Sequence, residues 1–413
     1  MMYREWHGLC LVSRGGQFPP DAREAAQPFS PLVILENRPA KDSGGLCFIR
    51  SARELGEPDG LCRLMPCRAD APVLPPEVRA LIEKDGAIVL NTAFTRAFSV
   101  LSAQLARKKS GLRVNLVGLG DVGGTVLTGL KLLGGGCIDT IGIFDPYEPL
   151  MARYVMELGQ VLPLHDGEPL PEVSACREPD LFHCDVLIFT ASRGVPGLDS
   201  KVQDVRMAQF AKNREMLRAY ARRAREENFC GLFCQVSDPV DPLARALFLD
   251  SNCGKDGNYD FAGLLPEQVR GFGLGVMQAR AAYAAKRLGA DFTRGRAFGP
   301  HGEGLVVCNA PSDGYDAALS IALTEQARTL NLQVRELGFK PYIAPGLSSA
   351  AVSILRMLRG DWFESAVALG GCYFGCRSRL CGAAAETYRE ALAPALAARL
   401  EASYAALREL RYE

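Results

Sequence analysis

Short apolar runs alternate along most of this chain with longer stretches of helical spacing. Val114–Gly118, Ile141–Asp145, Asp185–Thr190 and Gly231–Val236 are apolar runs of strand length that read as buried strands. Between and after them come helical patterns: Gln203 to Arg225, 274–288, and 314–336, where Leu319, Leu323, Leu330, Val334 and Leu337 recur at helical spacing. Strands that alternate with helices, and that are mostly apolar, predict a parallel sheet covered on both faces, an α/β fold. Two strand-like runs bracket Gly299-Pro-His301-Gly302, and 384–410, rich in Ala, Leu and charge, predicts an amphipathic C-terminal helix.

The stretch 1–75 differs in texture. Leu32–Leu35 and Leu46–Ile49 read as short strands set among Gly, Pro and Arg. Pro75-Pro76-Glu77 marks a helix start, and a Leu- and Ala-bearing run continues to Arg107-Lys108-Lys109. The chain thus divides into a small α+β N-terminal appendage of unknown role (1–109), a first α/β half (110–253) and a second half (254–413).

Composition narrows the class. Forty-seven basic residues balance 47 acidic ones in 413, so no global field draws the chain to nucleic acid or to an acidic membrane. No apolar run approaches the roughly 18 residues of a membrane span, and the opening MMYREWHGLC lacks the basic-then-apolar pattern of a secretory signal, so the cytoplasm is the expected setting. Fourteen cysteines are scattered. Cys230-x-x-x-Cys234, Cys372-x-x-x-Cys376 and Cys62-x-x-x-x-Cys67 lack paired zinc-site spacing, so buried free thiols are expected and no metal.

The chemistry concentrates at Gly118-Leu-Gly120-Asp-Val-Gly123, a G-x-G-x-x-G turn between a strand and a helix. In a dinucleotide site Gly118 permits the tight turn, Gly120 lets backbone approach a pyrophosphate, and Gly123 lets the helix pack close to the strand. Asp145, twenty-five residues after Gly120, ends the next strand. Its carboxylate would accept from ribose hydroxyls and repel a 2′-phosphate, which favours NAD over NADP. The same glycines also suit an ordinary strand-turn-helix unit.

From residue 110 to the end, the order of motifs resembles the L-lactate/L-malate dehydrogenase family. The matching pieces are Gly118-Leu-Gly120, Asp145, Phe189-Thr190-Ala191, Pro196-Gly197, Arg206 seven before Asn213, Val236-Ser237-Asp238-Pro-Val-Asp241, Ala279-Arg280, Gly299-Pro-His301-Gly302 and Gly346-Leu-Ser348-Ser349. The resemblance implies a Rossmann NAD-binding domain followed by an α+β catalytic domain, reversible hydride transfer between NADH and a small 2-oxo acid, and a homo-oligomer. It assigns His301 as the acid that delivers the proton, Arg280 as the clamp on the substrate carboxylate, and Arg206 as the group that polarises the carbonyl. It also places Asp121, Val122, Thr190, Ala191, Asn213 and Ser237 around the coenzyme, and Arg193, Asp238 and Ser348 around the substrate. A one-residue alignment choice at Arg193-Gly194 separates a malate-type from a lactate-type reading.

Two positions depart from the family. Asp238 stands where members usually carry Asn, and Met277 stands where they usually carry the Asp that holds the catalytic histidine. Glu303 is the carboxylate nearest to His301 in sequence. The competing expectation is therefore an NAD-binding protein without turnover, whose appendage binds a partner or regulates; fold alone does not choose.

Overall fold

The computed structural model describes residues 1–193 and 205–412, with side chains omitted at 205–208. Six strands lie in the N-terminal stretch: β1 (Tyr3–Trp6), β2 (Leu9–Ser13), β3 (Arg23–Ala25), β4 (Leu32–Glu36), β5 (Leu46–Ile49) and β6 (Ala87–Asn91). Six more follow: β7 (Leu112–Val117), β8 (Ile138–Phe144), β9 (Glu172–Ala175), β10 (Val186–Phe189), β11 (Leu232–Gln235) and β12 (Val269–Gly271). From β7 to β12 every neighbouring pair is parallel, in the spatial order β9-β8-β7-β10-β11-β12. That is the doubly wound dinucleotide-binding order, whose direction reverses between β7 and β10 and leaves a crevice at their carboxyl ends.

Helices cover both faces, as the largely buried strands require. On one face α3 (Asp121–Leu133) packs Val126, Leu127 and Leu130 into a core with Ile141, Ile143, Leu158 of α4 (Glu148–Leu158), and Ile354 and Leu358 of α9 (Val352–Arg359). On the other, α5 (Val205–Glu226) and α6 (Val240–Ser251) bury Leu217, Ala221, Leu243, Leu247 and Phe248 with Phe189 and Phe233.

The sheet does not stop at β12. It continues antiparallel into β15 (Phe363–Leu369), β16 (Cys372–Cys381) and β17 (Ala384–Thr387), and β17 pairs with β5 through Ala385 and Cys47. The strands β6, β4, β2, β1 and β3 follow, so fifteen strands of the described residues form one sheet. Leu11, Val33, Leu35 and Leu90 share a core with Phe94 and Leu101, which flank or lie on α2 (Ala97–Ala106), and with Phe248 of α6. The N-terminal appendage therefore completes the hydrophobic cover of α6, rather than packing on itself alone.

A separate two-stranded unit, β13 (Arg296–Phe298) with β14 (Val306–Cys308), carries the Gly-Pro-His-Gly turn between its strands. It packs with α7 (Leu274–Arg287) and α8 (Ala317–Glu336) through Met277, Ala281, Val307 and Leu323. The fourteen cysteines are free thiols. Among the described residues no helix is long and apolar enough to cross a membrane.

Two predicted helices are shorter than their patterns suggest. The run 76–109 is α1 (Pro76–Asp85), then β6, then α2. Gly86, at φ +76° with the Phe48 ring occupying the place of a Cβ, ends the first helix, and the fully buried Ala87-Ile-Val-Leu-Asn91 enters the sheet instead. The run 384–410 opens with β17, and the C-terminal helix α10 (Pro394–Arg408) begins only at Pro394, whose fixed φ suits a first helical position.

Candidate active site

The glycine turn after β7 has the geometry its spacing predicts. Gly118 has φ +92°, and a Cβ there would lie 2.6 Å from the Ala191 nitrogen, so both conformation and contact demand glycine. A Cβ on Gly123 would collide with the Gly118 carbonyl and sit 2.7 Å from Thr190 Oγ1. Gly120, the N-cap of α3, is different: a Cβ there would meet nothing within 4 Å. Two glycines are thus needed by the fold, and the third faces open space beside a helix N-terminus. Asp121 is exposed at the first position of α3 and pairs with Lys340 at 3.0 Å; Val122 follows it, half-buried.

Asp145 stands at the carboxyl end of β8. Its Oδ2 accepts from the Leu119 N–H at 2.9 Å and its Oδ1 from Tyr147 N–H at 3.0 Å. These bonds fix the carboxylate beside the glycine turn while the side chain keeps partial solvent exposure. Each carboxylate oxygen has a second lone pair for a hydroxyl.

Across the crevice, side chains tie the strand ends together. Thr190 Oγ1 donates to the Gly118 carbonyl at 2.7 Å, and Ser237 Oγ donates to the Ala191 carbonyl at 2.6 Å. Asn213 is fully buried on α5; its amide accepts from Arg193 N–H at 2.7 Å and donates to the Asp238 carbonyl at 2.7 Å. Asn213 and Ser237 therefore brace the loops after β10 and β11, a stabilising task that the resemblance did not assign to them. The Arg193 side chain is exposed at the lip of the crevice. Pro196-Gly197 lie outside the described residues. Arg206 belongs to the first turn of α5, and its side chain also lies outside them.

His301 is buried, 8% exposed, in the turn between β13 and β14. Its imidazole packs against the backbone of Gly273, where a Cβ would fall 2.6 Å from the His301 Cβ and 2.8 Å from Cγ. Its Nδ1 lies 3.2 Å from Asp238 Oδ1. The carboxylate beside the ring thus comes from the loop after β11, not from position 277. Glu303 is exposed, and Met277 is fully buried in the core between α7 and α8.

Two supporting residues carry no role in the sequence reading. Asp241, buried in the first turn of α6, accepts from the His301 backbone N–H at 3.0 Å. Ser349 bridges Gly273 and α7: its Oγ donates to the Gly273 carbonyl at 2.8 Å and accepts from Val276 N–H at 2.9 Å. Ser349 belongs to a π-helical turn, Pro345–Ala351, a form often found at functional sites. The neighbouring Ser348 is half-buried, its carbonyl accepting from Ser353 Oγ. The signal for Asp241 was present in the sequence, a carboxylate three residues after Asp238 at the same helix start.

Arg280 is buried on α7, with Nη1 3.9 Å from Met277 Sδ and 3.5 Å from the Ala327 carbonyl on α8.

Burial pushes the Asp241 carboxyl up to about 7, against the opposing effect of the His301 N–H bond; the nearby Asp238 charge adds to the rise. The folded protein therefore holds a proton at Asp241 that the unfolded chain releases near its ordinary value of about 4. Since the folded state binds more protons between those values, this group's contribution to stability falls as pH rises from about 4 through 7. Asp241→Asn keeps an acceptor for His301 and removes the titration. We expect urea denaturation to show the variant gaining on the native protein between about pH 4.5 and 8, by up to about 4 kcal/mol. A constant difference across that range would remove the buried carboxyl as a source of pH dependence.

Comparison with known proteins bears on the fold. No family model matches the chain. The L-lactate dehydrogenase of Lactobacillus helveticus is 29% identical over 155 residues, which is 37% of this chain and 44% of that one, so the chain matches less than half the length of that relative. Solved structures agree over a longer stretch. A lactate dehydrogenase from a Medee basin deep-sea metagenome library superposes over 73% of this chain and 98% of its own, at 17% identity and a TM-score of 0.57. The malate dehydrogenase of Archaeoglobus fulgidus, determined with NADH, superposes over 72% and 98%, at 18% identity and a TM-score of 0.59. The minor L-lactate dehydrogenase of Enterococcus mundtii gives 74%, 100%, 17% and 0.59. These likenesses show the fold, a Rossmann half joined to a lactate/malate dehydrogenase-like second half.

Proposed function

We propose that this divergent relative of the L-lactate and L-malate dehydrogenases is an NAD-dependent oxidoreductase that interconverts a small 2-hydroxy acid and its 2-oxo acid. The observation that carries the reading is the His301–Asp238 pair at 3.2 Å, in a chain whose crevice also holds a dinucleotide-type glycine turn. The residues suit the coenzyme. The open side of Gly120 and the α3 N-terminus would receive the pyrophosphate, and Asp145 would take the adenine ribose. When bound, the nicotinamide supplies or accepts the hydride.

The chain's own residues supply the proton and the grip. With Nδ1 held by Asp238, Nε2 is the nitrogen that carries the transferable proton toward the substrate carbonyl. A carboxylate beside an imidazole fixes its tautomer and favours the charged form needed to protonate the forming alkoxide. Asp241 and Gly273 hold the backbone and ring of that histidine in place. Arg280 and Arg206 are the proposed carboxylate clamp and carbonyl polariser, since a planar guanidinium grips a carboxylate through two parallel bonds. Arg193 and Ser348 are the proposed contacts to the substrate's side group.

One observation favours the second reading, coenzyme binding without turnover: the Arg280 guanidinium contacts the α8 backbone and Met277. The test is NADH oxidation by the purified chain against pyruvate, oxaloacetate and longer 2-oxo acids. Turnover is expected, with oxaloacetate preferred if Arg193 binds a second carboxylate and pyruvate preferred if it does not. NADH binding with no turnover on any of them would leave the second reading in possession.

A further inference from the structure

A cavity of about 330 Å³ lies along the same sheet, away from the coenzyme crevice, where β5 of the N-terminal appendage meets the β15–β17 meander and β12. Its walls are rich in arginine, and the carboxylates around it pair with most of them. Glu386 takes Arg50 at 2.7 Å and Arg379 at 2.8 Å; Arg389 reaches Glu57 at 2.7 Å; Arg63 reaches Asp59 at 2.6 Å.

Arg270, on β12, is the exception. It is 0% exposed and lines the cavity, and its Nε, Nη1 and Nη2 make no hydrogen bond among the described residues. The buried acid nearest in sequence, Glu267, is engaged elsewhere: it accepts from the Gly45 and Leu46 N–H groups at 3.0 and 2.9 Å. A guanidinium stays charged at any pH a protein meets, and a buried charge without hydrogen bonds is among the most unfavourable groups a fold can hold. Burial also works against the charged form of Arg270, with Glu267 opposing that effect only through space. The arrangement makes physical sense if the missing partner comes from outside the chain.

We propose that this cavity is a binding site for a small metabolite bearing a carboxylate or phosphate group, with Arg270 as its anion clamp. The remaining wall fits such a molecule. Trp362, Tyr388 and Phe48 offer apolar surface to an organic body, and the volume is that of a compact ligand rather than a dinucleotide. Cys47, Phe48, Arg50 and Arg63 come to this wall from the appendage, and Arg379 and Glu386 from β16 and β17. The appendage therefore completes a ligand site as well as a core, and the site exists only while β5 stays paired with β17.

The test uses the full chain and three probes: inorganic phosphate, phenyl phosphate and benzoate. Calorimetry on the native protein is expected to show binding of at least one at millimolar affinity or better. Preference for the two phosphates or for benzoate identifies the anion. Arg270→Met removes the clamp at similar volume and is expected to weaken that binding tenfold or more while NADH binding stays unchanged. Arg379→Gln, at the partly exposed wall, leaves Glu386 its Arg50 partner and is expected to weaken the same probe with the fold intact. The proposal is overturned if no probe binds the native chain at about 10 mM, or if the bound probe holds equally well to both variants.

Discussion

Asp238→Asn is expected to lower turnover by about 10²–10⁴ while leaving NADH affinity unchanged, although it installs the residue that lactate and malate dehydrogenases usually carry there. The reason lies in the proposed role of the charge at position 238, as partner of the histidine. Asp238 Oδ1 is 3.2 Å from His301 Nδ1, and the position that would otherwise hold the histidine's carboxylate is Met277, sealed in the core. Asn is close to Asp in shape, and its carbonyl can still accept from Nδ1–H, so the ring's orientation survives and only the charge is lost. Loss of that charge makes the ring give up its proton more readily. In the proposed reaction, reduction of the oxo acid draws on the protonated ring, so the alkaline limb of the pH profile is expected to move to lower pH in the variant. That displacement separates a charge partner from a merely structural residue. His301→Gln supplies the reference, with turnover abolished at every pH. If Asp238→Asn matched or exceeded the native rate, the carboxylate would have no part in proton transfer, and the His301–Asp238 contact would be incidental.

The Rossmann half was legible because its signals are local. An apolar strand, a glycine turn and a helix with one apolar stripe are each written in a short window of sequence, and β7, β8, β10 and β11 all fall where those patterns predict. Arg280 and His301 were legible as candidates by residue type and by their order along the chain. The partner of His301 was not, because it lies 63 residues away in sequence and meets the ring only through the packing of the loop after β11 on the β13–β14 turn. Sequence proximity pointed to Glu303, which faces solvent. The β15–β17 meander was missed despite one usable signal. Gly370-Gly371, with φ +50° and +95°, joins β15 to β16, and paired glycines between apolar runs mark a tight hairpin. The joining of β5 to β17 has no local signature at all; it rests on the pairing of Cys47 with Ala385, from opposite ends of the chain.

That joining changes how the appendage should be understood. It supplies strands to the sheet, side chains to the core over α6, and one wall of the Arg270 cavity. A segment with those three attachments is part of the working body. Removing it would expose Phe248 and its neighbours on α6, all now buried, and leave an open sheet edge at β17, a recognised template for aggregation.

The glycine turn allows the fold and the proposed coenzyme binding to be separated by substitution. Gly120→Ala is expected to leave thermal stability within about 0.5 kcal/mol of the native value, because φ at Gly120 is −65° and the added methyl meets nothing within 4 Å. The same methyl would stand on the open face over which a pyrophosphate must approach the α3 N-terminus, so NADH affinity is expected to fall tenfold or more, about 1.4 kcal/mol. Gly123→Ala should behave in the opposite way. Its methyl collides with the Gly118 carbonyl and with Thr190 Oγ1, so α3 must move off β7. Stability is expected to drop by about 2–4 kcal/mol, and coenzyme binding is lost only as a consequence. Thermal denaturation and NADH fluorescence titration on the two variants distinguish the cases. Equal NADH affinity in Gly120→Ala and the native chain would mean that no phosphate passes over that glycine. The turn would then be a packing device only, and the dinucleotide assignment would lose the one position in it that the fold itself does not require.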